Sequence, residues 1–138
     1  MLTGPAGGMA AGSITVLHVA DDTEITDLAA NFLVREDEAL TVETAAAAEA
    51  ALERVGEGDV DCVVTDYRMD GVTDGTMLET LAAEYPSLPV IVFTGQTTDD
   101  IDDEVRAQVA ATLQKRTGTE QYAALASAIR EAVEGEGQ

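Results

Sequence analysis

Cysteine, histidine and lysine occur once each in 138 positions, as Cys62, His18 and Lys115. A single cysteine gives no disulfide framework, and with one histidine beside it no zinc site either. The lone histidine excludes any site built from several imidazoles. No apolar run approaches the ~18 residues of a membrane span. The first residues lack the basic stretch and hydrophobic segment of a signal peptide. Basic residues are scarce too, 7 against 27 acidic ones, for a net charge of −20. Nucleic acid and anionic membrane surfaces would repel such a chain, so neither is an expected partner. What remains is apolar: 46% of the residues are hydrophobic, enough for a core in a chain of one-domain length. These absences leave a soluble, reduced, cytoplasmic single domain.

The acids are dispersed along the chain rather than gathered in a tail, which points to a solvated folded surface. One Lys among many Asp, Glu, Ala and Thr resembles the composition of proteins from extreme halophiles. At 1 M salt the Debye length is about 3 Å, so self-repulsion of this size becomes tolerable. The expectation is a fold that fails in low salt. This concerns the surface and says nothing of function.

Residues 1–13 (MLTGPAGGMAAGS) are small, Gly-rich and aperiodic, and read as a mobile leader. Apolar runs and amphipathic stretches then alternate. Ile14–Val19 is a short β-rich run. Behind a cap at Asp22 or Thr23, the helix to Arg35 carries Ile25, Leu28, Ala29, Phe32 and Leu33 at helical spacing. Ala39–Glu43 reads as a weak strand, Ala45–Val55 as an Ala-rich helix, and GEGD as a turn. Val60–Thr65 reads as a buried strand ending at Asp66, and Thr76–Glu84 as a helix. Pro86–Pro89 is a loop before the strand Val90–Phe93. Helix Asp99–Val109 and the short strand Ala111–Gln114 follow. A last helix, capped by Thr119 and running to Glu134, places Tyr122, Leu125, Ala126, Ile129 and Val133 on one face. The residues 135–138 are a frayed tail. Five β-α units with apolar strands and no hairpin signals predict a doubly wound α/β fold, a parallel sheet covered on both faces.

In open α/β sheets, ligands bind beyond the carboxyl ends of the strands. After the first strand come Ala20, Asp21 and Asp22; after the third, Asp66; after the fourth, Thr94; after the fifth, Lys115. Singly, each has an ordinary role as a helix cap, a turn acid, a strand end or a solvated ammonium. Together they deliver carboxylates, a hydroxyl and the only Lys to one edge. Carboxylates a few ångströms apart repel by about 4 kcal/mol per pair at an effective dielectric near 20. A hard divalent cation relieves that cost, and Mg²⁺ takes one or two carboxylates plus waters. Metal, ammonium and hydroxyl around a further carboxylate suit a phosphoryl group, whose oxygens they neutralise while a carboxylate oxygen attacks in line.

Through the segments VLHVADDTEI, CVVTDYRMDGVTDG, VIVFTG and LQKR the chain resembles the receiver domain of two-component response regulators, from about Ile14 to Glu134. The resemblance extends to a stand-alone, haloarchaeal-type receiver. It implies a five-stranded (βα)5 flavodoxin-like sheet of order 2-1-3-4-5, an order taken over from the chemotaxis receiver rather than derived. By resemblance Asp66 is the phosphoacceptor, and Asp21 with Asp66 holds Mg²⁺, aided by the backbone carbonyl of Arg68. Thr94 bonds the phosphoryl oxygen after switching, and Lys115 forms an ion pair with the phosphoryl group. The implied partners are a sensor histidine kinase and a downstream protein or phosphotransfer partner. No small-molecule substrate beyond phosphoryl donors is implied. Nor is an enzyme: only self-catalysed phosphoryl transfer and hydrolysis. With the chain ending at Gln138, no output domain is expected.

Four positions depart from the family pattern. The first acid of the N-terminal pair falls on Ala20, so either Asp22 substitutes or the metal rests on Asp21 and Asp66 with more water; weaker Mg²⁺ affinity is expected. The loop after Asp66 reads MDGVTDG, with Asp70 where Pro is usual. Arg116 replaces the Pro after Lys115, removing the usual cis peptide. Thr112 stands where an aromatic switch residue is usual. Ala20 and Thr112 keep an alternative open, a pseudo-receiver that binds a protein partner without being phosphorylated. A small phosphohydrolase or flavin-binding domain is disfavoured: no second Asp follows Asp66 at DxD spacing, and no phosphate loop follows the first strand. His18, Cys62, Phe32 and Phe93 read as core, and Met69, Met77 and Leu78 as sheet–helix contacts.

Overall fold

The computed structural model describes residues 14–20, 23–66, 76–94, 103–114 and 120–136. Among the described residues ten elements follow in alternation: β1 (Ile14–Val19), α1 (Thr23–Glu36), β2 (Leu40–Ala45), α2 (Ala48–Gly56), β3 (Cys62–Thr65), α3 (Thr76–Glu84), β4 (Val90–Thr94), α4 (Asp103–Gln108), β5 (Ala111–Gln114) and α5 (Glu120–Glu136). All strand pairs are parallel, in the order β2-β1-β3-β4-β5. This is the 2-1-3-4-5 order of the flavodoxin-like class, and its five strands and flanking helices match the expectation.

Alternation along the strands builds two cores. Leu17 and Val19 of β1, Val63 of β3, and Val90 and Val92 of β4 meet Ala51 and Val55 of α2 and Met77, Leu78 and Leu81 of α3. On the other face Ile14, Val16, Cys62, Val64, Ile91 and Phe93 meet Ala29 and Leu33 of α1 and Tyr122, Leu125, Ala126 and Ile129 of α5. The central strands are buried on both faces, which is why they read as unbroken apolar runs. His18 and Cys62 are buried, as expected. Burial first, and the charge of Asp61 second, push the Cys62 thiol up to about 12.

Several boundaries differ from the sequence expectation. Ala45 ends β2, in register with Val19, instead of opening a helix. The helix begins at Ala48, and Ala47 at its N-cap makes no side-chain bond, so nothing in the Ala run marks the start. β3 starts at Cys62, two residues late. The GEGD turn before it takes Gly58 and Asp59 through positive φ (91° and 71°), a conformation open to Gly and tolerated by Asp. The described part of α4 is shorter than the expected helix, and residues 95–102 lie outside the described residues. Leu28, expected on the buried stripe of α1, is 51% exposed. Ala29 and Leu33 take the sheet-facing positions, and Phe32 turns to the ring of Tyr122.

Among the described residues, two bidentate ion pairs join neighbouring elements. Arg54 of α2 donates to Glu43 of β2 at 2.6 and 3.0 Å, and its third nitrogen reaches the Gly58 carbonyl at 2.7 Å. Its guanidinium holds the Glu43 carboxyl below the usual range. Arg130 of α5 makes the same contact with Asp37, in the turn after α1.

Candidate functional site at the carboxyl edge of the sheet

The register of the ladders determines what meets at this edge. Val19 lies opposite Thr65, Thr65 opposite Val92, and Thr94 opposite Gln114. Asp66 follows Thr65 directly, and its backbone N–H donates to the Val19 carbonyl at 2.9 Å. The ladder thus continues one step past β3 and carries the carboxylate to the rim, where it is half-buried. The Thr65 hydroxyl donates to the Asp66 carbonyl at 3.0 Å, a second restraint on the backbone of this turn. Thr94 ends the adjacent β4 and is fully buried. Asp66 and Thr94, two of the expected site residues, therefore close neighbouring strands.

Ala20 continues β1 past Val19; its N–H donates to the Ala45 carbonyl at 3.0 Å and its methyl is buried. The position at which the family pattern places an acid is thus filled by an apolar group beside the Asp66 strand. Asp21 and Asp22, which come next, lie outside the described residues, as do Arg68, Asp70, Lys115 and Arg116. Their sequence neighbours Ala20, Asp66 and Gln114 all stand at the same edge.

For a metal, the described part of the edge offers one carboxylate, and no group of three His, Cys, Asp or Glu side chains stands together among the described residues. A half-buried carboxylate is a hard oxygen donor of the kind Mg²⁺ accepts, usually with several retained waters. Asp66 fits such a cation as one ligand.

Two further polar residues of this edge carry no signal in the sequence motifs. Thr65 sits just before Asp66, and Gln114 lies across the ladder from Thr94. The first could have been found from its place beside an edge acid. The second depends on which strands pair and in what register, and short-range patterns do not carry that.

Comparison with known proteins places this edge in a family context. The family model for the response regulator receiver domain matches residues 16–127. Among solved structures, the chain is similar to a response regulator receiver domain protein from Clostridium thermocellum. The TM-score is 0.76 at 21% identity, over 90% of this chain and 97% of that one. The chemotaxis response regulator CheY4 of Vibrio cholerae superposes with a TM-score of 0.73 at 22% identity, over 85% and 98% of the two chains. The response regulator TrrA of Thermotoga maritima, in complex with Mg²⁺ and BeF, gives 0.72 at 19% identity, over 84% and 98%. A search of curated proteins returned no match.

Proposed function

Because this chain belongs to the response regulator receiver family, we propose that it is a phosphoacceptor switch of a two-component relay, phosphorylated on Asp66. The observation that carries the reading is the pairing of strand ends: the half-buried Asp66 carboxylate and the buried Thr94 hydroxyl close adjacent parallel strands. In the transfer step an Asp66 carboxylate oxygen attacks phosphorus in line. The new P–O bond forms as the P–N bond to the donor histidine breaks, and the electron pair leaves on the imidazole nitrogen. Hydrolysis of the acyl phosphate later returns Asp66 to a carboxylate.

Asp66 and Asp21 would hold Mg²⁺, with Asp22 as the substitute for the missing first acid and Arg68 lending its backbone carbonyl. The cation supplies neutralisation of the phosphoryl charge. Lys115 pairs with the phosphoryl group, and Thr94 turns towards it as the new charge arrives. The donor is a sensor histidine kinase, the receiver of the signal is a partner protein or a phosphotransfer protein, and the setting is the cytoplasm. The chain's own chemistry is limited to self-catalysed transfer and hydrolysis.

The test is incubation with acetyl phosphate and Mg²⁺, followed by intact mass. Wild type gains one phosphoryl group and Asp66→Asn gains none. A wild-type mass unchanged while the fold persists defeats the reading. It would then favour the second one, an unphosphorylated interaction module, for which the buried Ala20 methyl at the site's rim is the supporting observation. That module binds its partner equally well as Asp66→Asn.

A further inference from the structure

Phe93 and Thr94 end β4 back to back. Val90 and Val92 belong to the α2–α3 core, Ile91 and Phe93 to the α1–α5 core. Alternation therefore sends Thr94 to the opposite face from Phe93. Both are buried. The Phe93 ring meets Tyr122 of α5 edge-on, with centroids 6.5 Å apart and planes at 62°. Tyr122 stacks on Phe32 of α1 at 5.0 Å, with planes within 6°. The Arg35 guanidinium lies 5.9 Å from the centroid of the Phe32 ring. One row of contacts thus runs from the residue beside Thr94, through α5, to the half-buried Phe32 and exposed Arg35 on α1.

Three features suit this row to passing on a movement of the strand end. The chain has two Phe, three Tyr and no Trp. Both Phe and one Tyr stand in the row, whereas β5, which flanks Thr94 at the sheet edge, has the sequence ATLQ and no ring. Aromatic side chains turn about only two torsions, and at interior packing density a displacement is passed on rather than absorbed. Finally, the Arg130–Asp37 pair ties α5 to the turn after α1. At a rise of 1.5 Å per residue, about 12 Å of helix separates that pair from Tyr122. The helix is held at one point and touched by the end of β4 at another.

We propose, resting on the reading of Asp66 as phosphoacceptor, that phosphorylation is read out on the α1–α5 face through Phe93, Tyr122 and Phe32. Thr94 is fully buried, so its turn towards the phosphoryl group displaces the strand end to which it belongs. Phe93 shares that strand end and pushes on the Tyr122 ring. The amino end of α5 then tilts, with Arg130 as the pivot, and Tyr122 slides across Phe32. Parallel rings stay in contact while one moves over the other, so the tilt opens no gap in the core. The change emerges at Phe32 and Arg35 on α1.

The experiment titrates the full chain with beryllofluoride in the presence of Mg²⁺, following backbone amides by NMR. In wild type Asp66, Thr94, Tyr122, Phe32 and Arg35 shift with one midpoint, and along α5 the shifts decline from Tyr122 to Arg130. Phe93→Leu keeps a buried apolar side chain but removes the ring. The Thr94 shift persists there, while those of Phe32 and Arg35 fall about three-fold as the softer side chain absorbs the movement. Ile91→Val, a change in the same core outside the row, leaves every shift as in wild type. Phe32 and Arg35 amides that stay still while Thr94 moves overturn the proposal and leave the phosphoacceptor reading standing. So do undiminished Phe32 and Arg35 shifts in Phe93→Leu, or an equal loss in Ile91→Val, since the core as a whole then carries the change. Wild type without a saturable shift at Asp66 and Thr94 overturns the phosphoacceptor reading, and this inference with it. If circular dichroism shows Phe93→Leu unfolded, Tyr122→Leu breaks the row one contact further on and carries the same expectation.

Discussion

Arg130 and Asp37, 93 positions apart, are joined by two hydrogen bonds, Nε donating to Oδ2 at 2.6 Å and Nη2 to Oδ1 at 3.0 Å. The contact ties α5 to the turn that follows α1. The guanidinium holds the Asp37 carboxyl below the usual range, against desolvation, with the Ala39 N–H helping. The Arg130 side chain is 40% exposed, so the pair is worth about 1 kcal/mol rather than the value of a buried ion pair. Arg130→Met should lower unfolding free energy by about that amount at pH 7. The sign with pH follows from the depressed carboxyl. The contribution is fully present above the ordinary carboxylate value and is lost as pH falls through the lowered native one. Urea unfolding of both proteins from pH 7 downwards should show the gap closing below about pH 4. A gap that stays constant into acid assigns the loss to packing instead.

The same two helices are joined by rings. Phe32 and Tyr122 stack with centroids 5.0 Å apart and planes within 6°, and Phe93 meets Tyr122 edge-on at 6.5 Å. Tyr122→Ala should cost about 3 kcal/mol, as for other buried aromatic truncations. Tyr122→Phe keeps the stack and should cost well under half of that. A double-mutant cycle between Phe32→Ala and Tyr122→Ala should give a coupling near 1 kcal/mol. Strict additivity would mean that the rings are merely adjacent.

How far the sequence reveals this molecule depends on the locality of each signal. β1, β3 and β4 are legible because both of their faces are buried, leaving uninterrupted apolar runs. The edge strand β2 carries exposed Thr41 and Thr44, and it ends two residues beyond the sequence expectation. The Ala run after it suits a helix anywhere along its length, and with no capping side chain its start is fixed by Ala45 joining the ladder beside Val19. At the site, Asp66 and Thr94 are legible as the points where apolar strands turn polar. That they end neighbouring strands follows only from the strand order, which came with the family resemblance. The facing of Thr94 and Gln114 is one step further from the sequence, since it needs the register as well.

Ala20 offers a direct test of what the missing acid does. Its buried methyl lies at the end of β1, beside the strand that carries Asp66. Ala20→Asp brings a second carboxylate to the rim, and the repulsion is about 4 kcal/mol at an effective dielectric near 20. Without divalent cation the variant should melt lower than wild type. Adding Mg²⁺ should restore more stability to it than to wild type, the variant gaining about 2.7 kcal/mol at a hundred-fold excess over its own dissociation constant. Thermal melts of the two proteins with and without Mg²⁺ decide it. An equal response to the cation would mean that a carboxylate at position 20 takes no part in binding it.

Cys62 reports on the charge of the whole surface. Its thiol is wholly buried and its ionisation is pushed up to about 12, so in the folded state it is neither reachable nor nucleophilic at neutral pH. Labelling by a thiol reagent then measures opening of the chain. A net charge of −20 repels itself over a Debye length of about 10 Å at 0.1 M salt and only about 3 Å at 1 M. Labelling should therefore be slow in 2 M KCl and accelerate by an order of magnitude or more near 0.1 M, as screening weakens. Sucrose separates the causes: it favours compact states by exclusion but does not screen, so it should slow labelling much less than KCl does at 0.1 M. Equally slow labelling at both salt levels would show that the acidic surface needs no screening to stay folded.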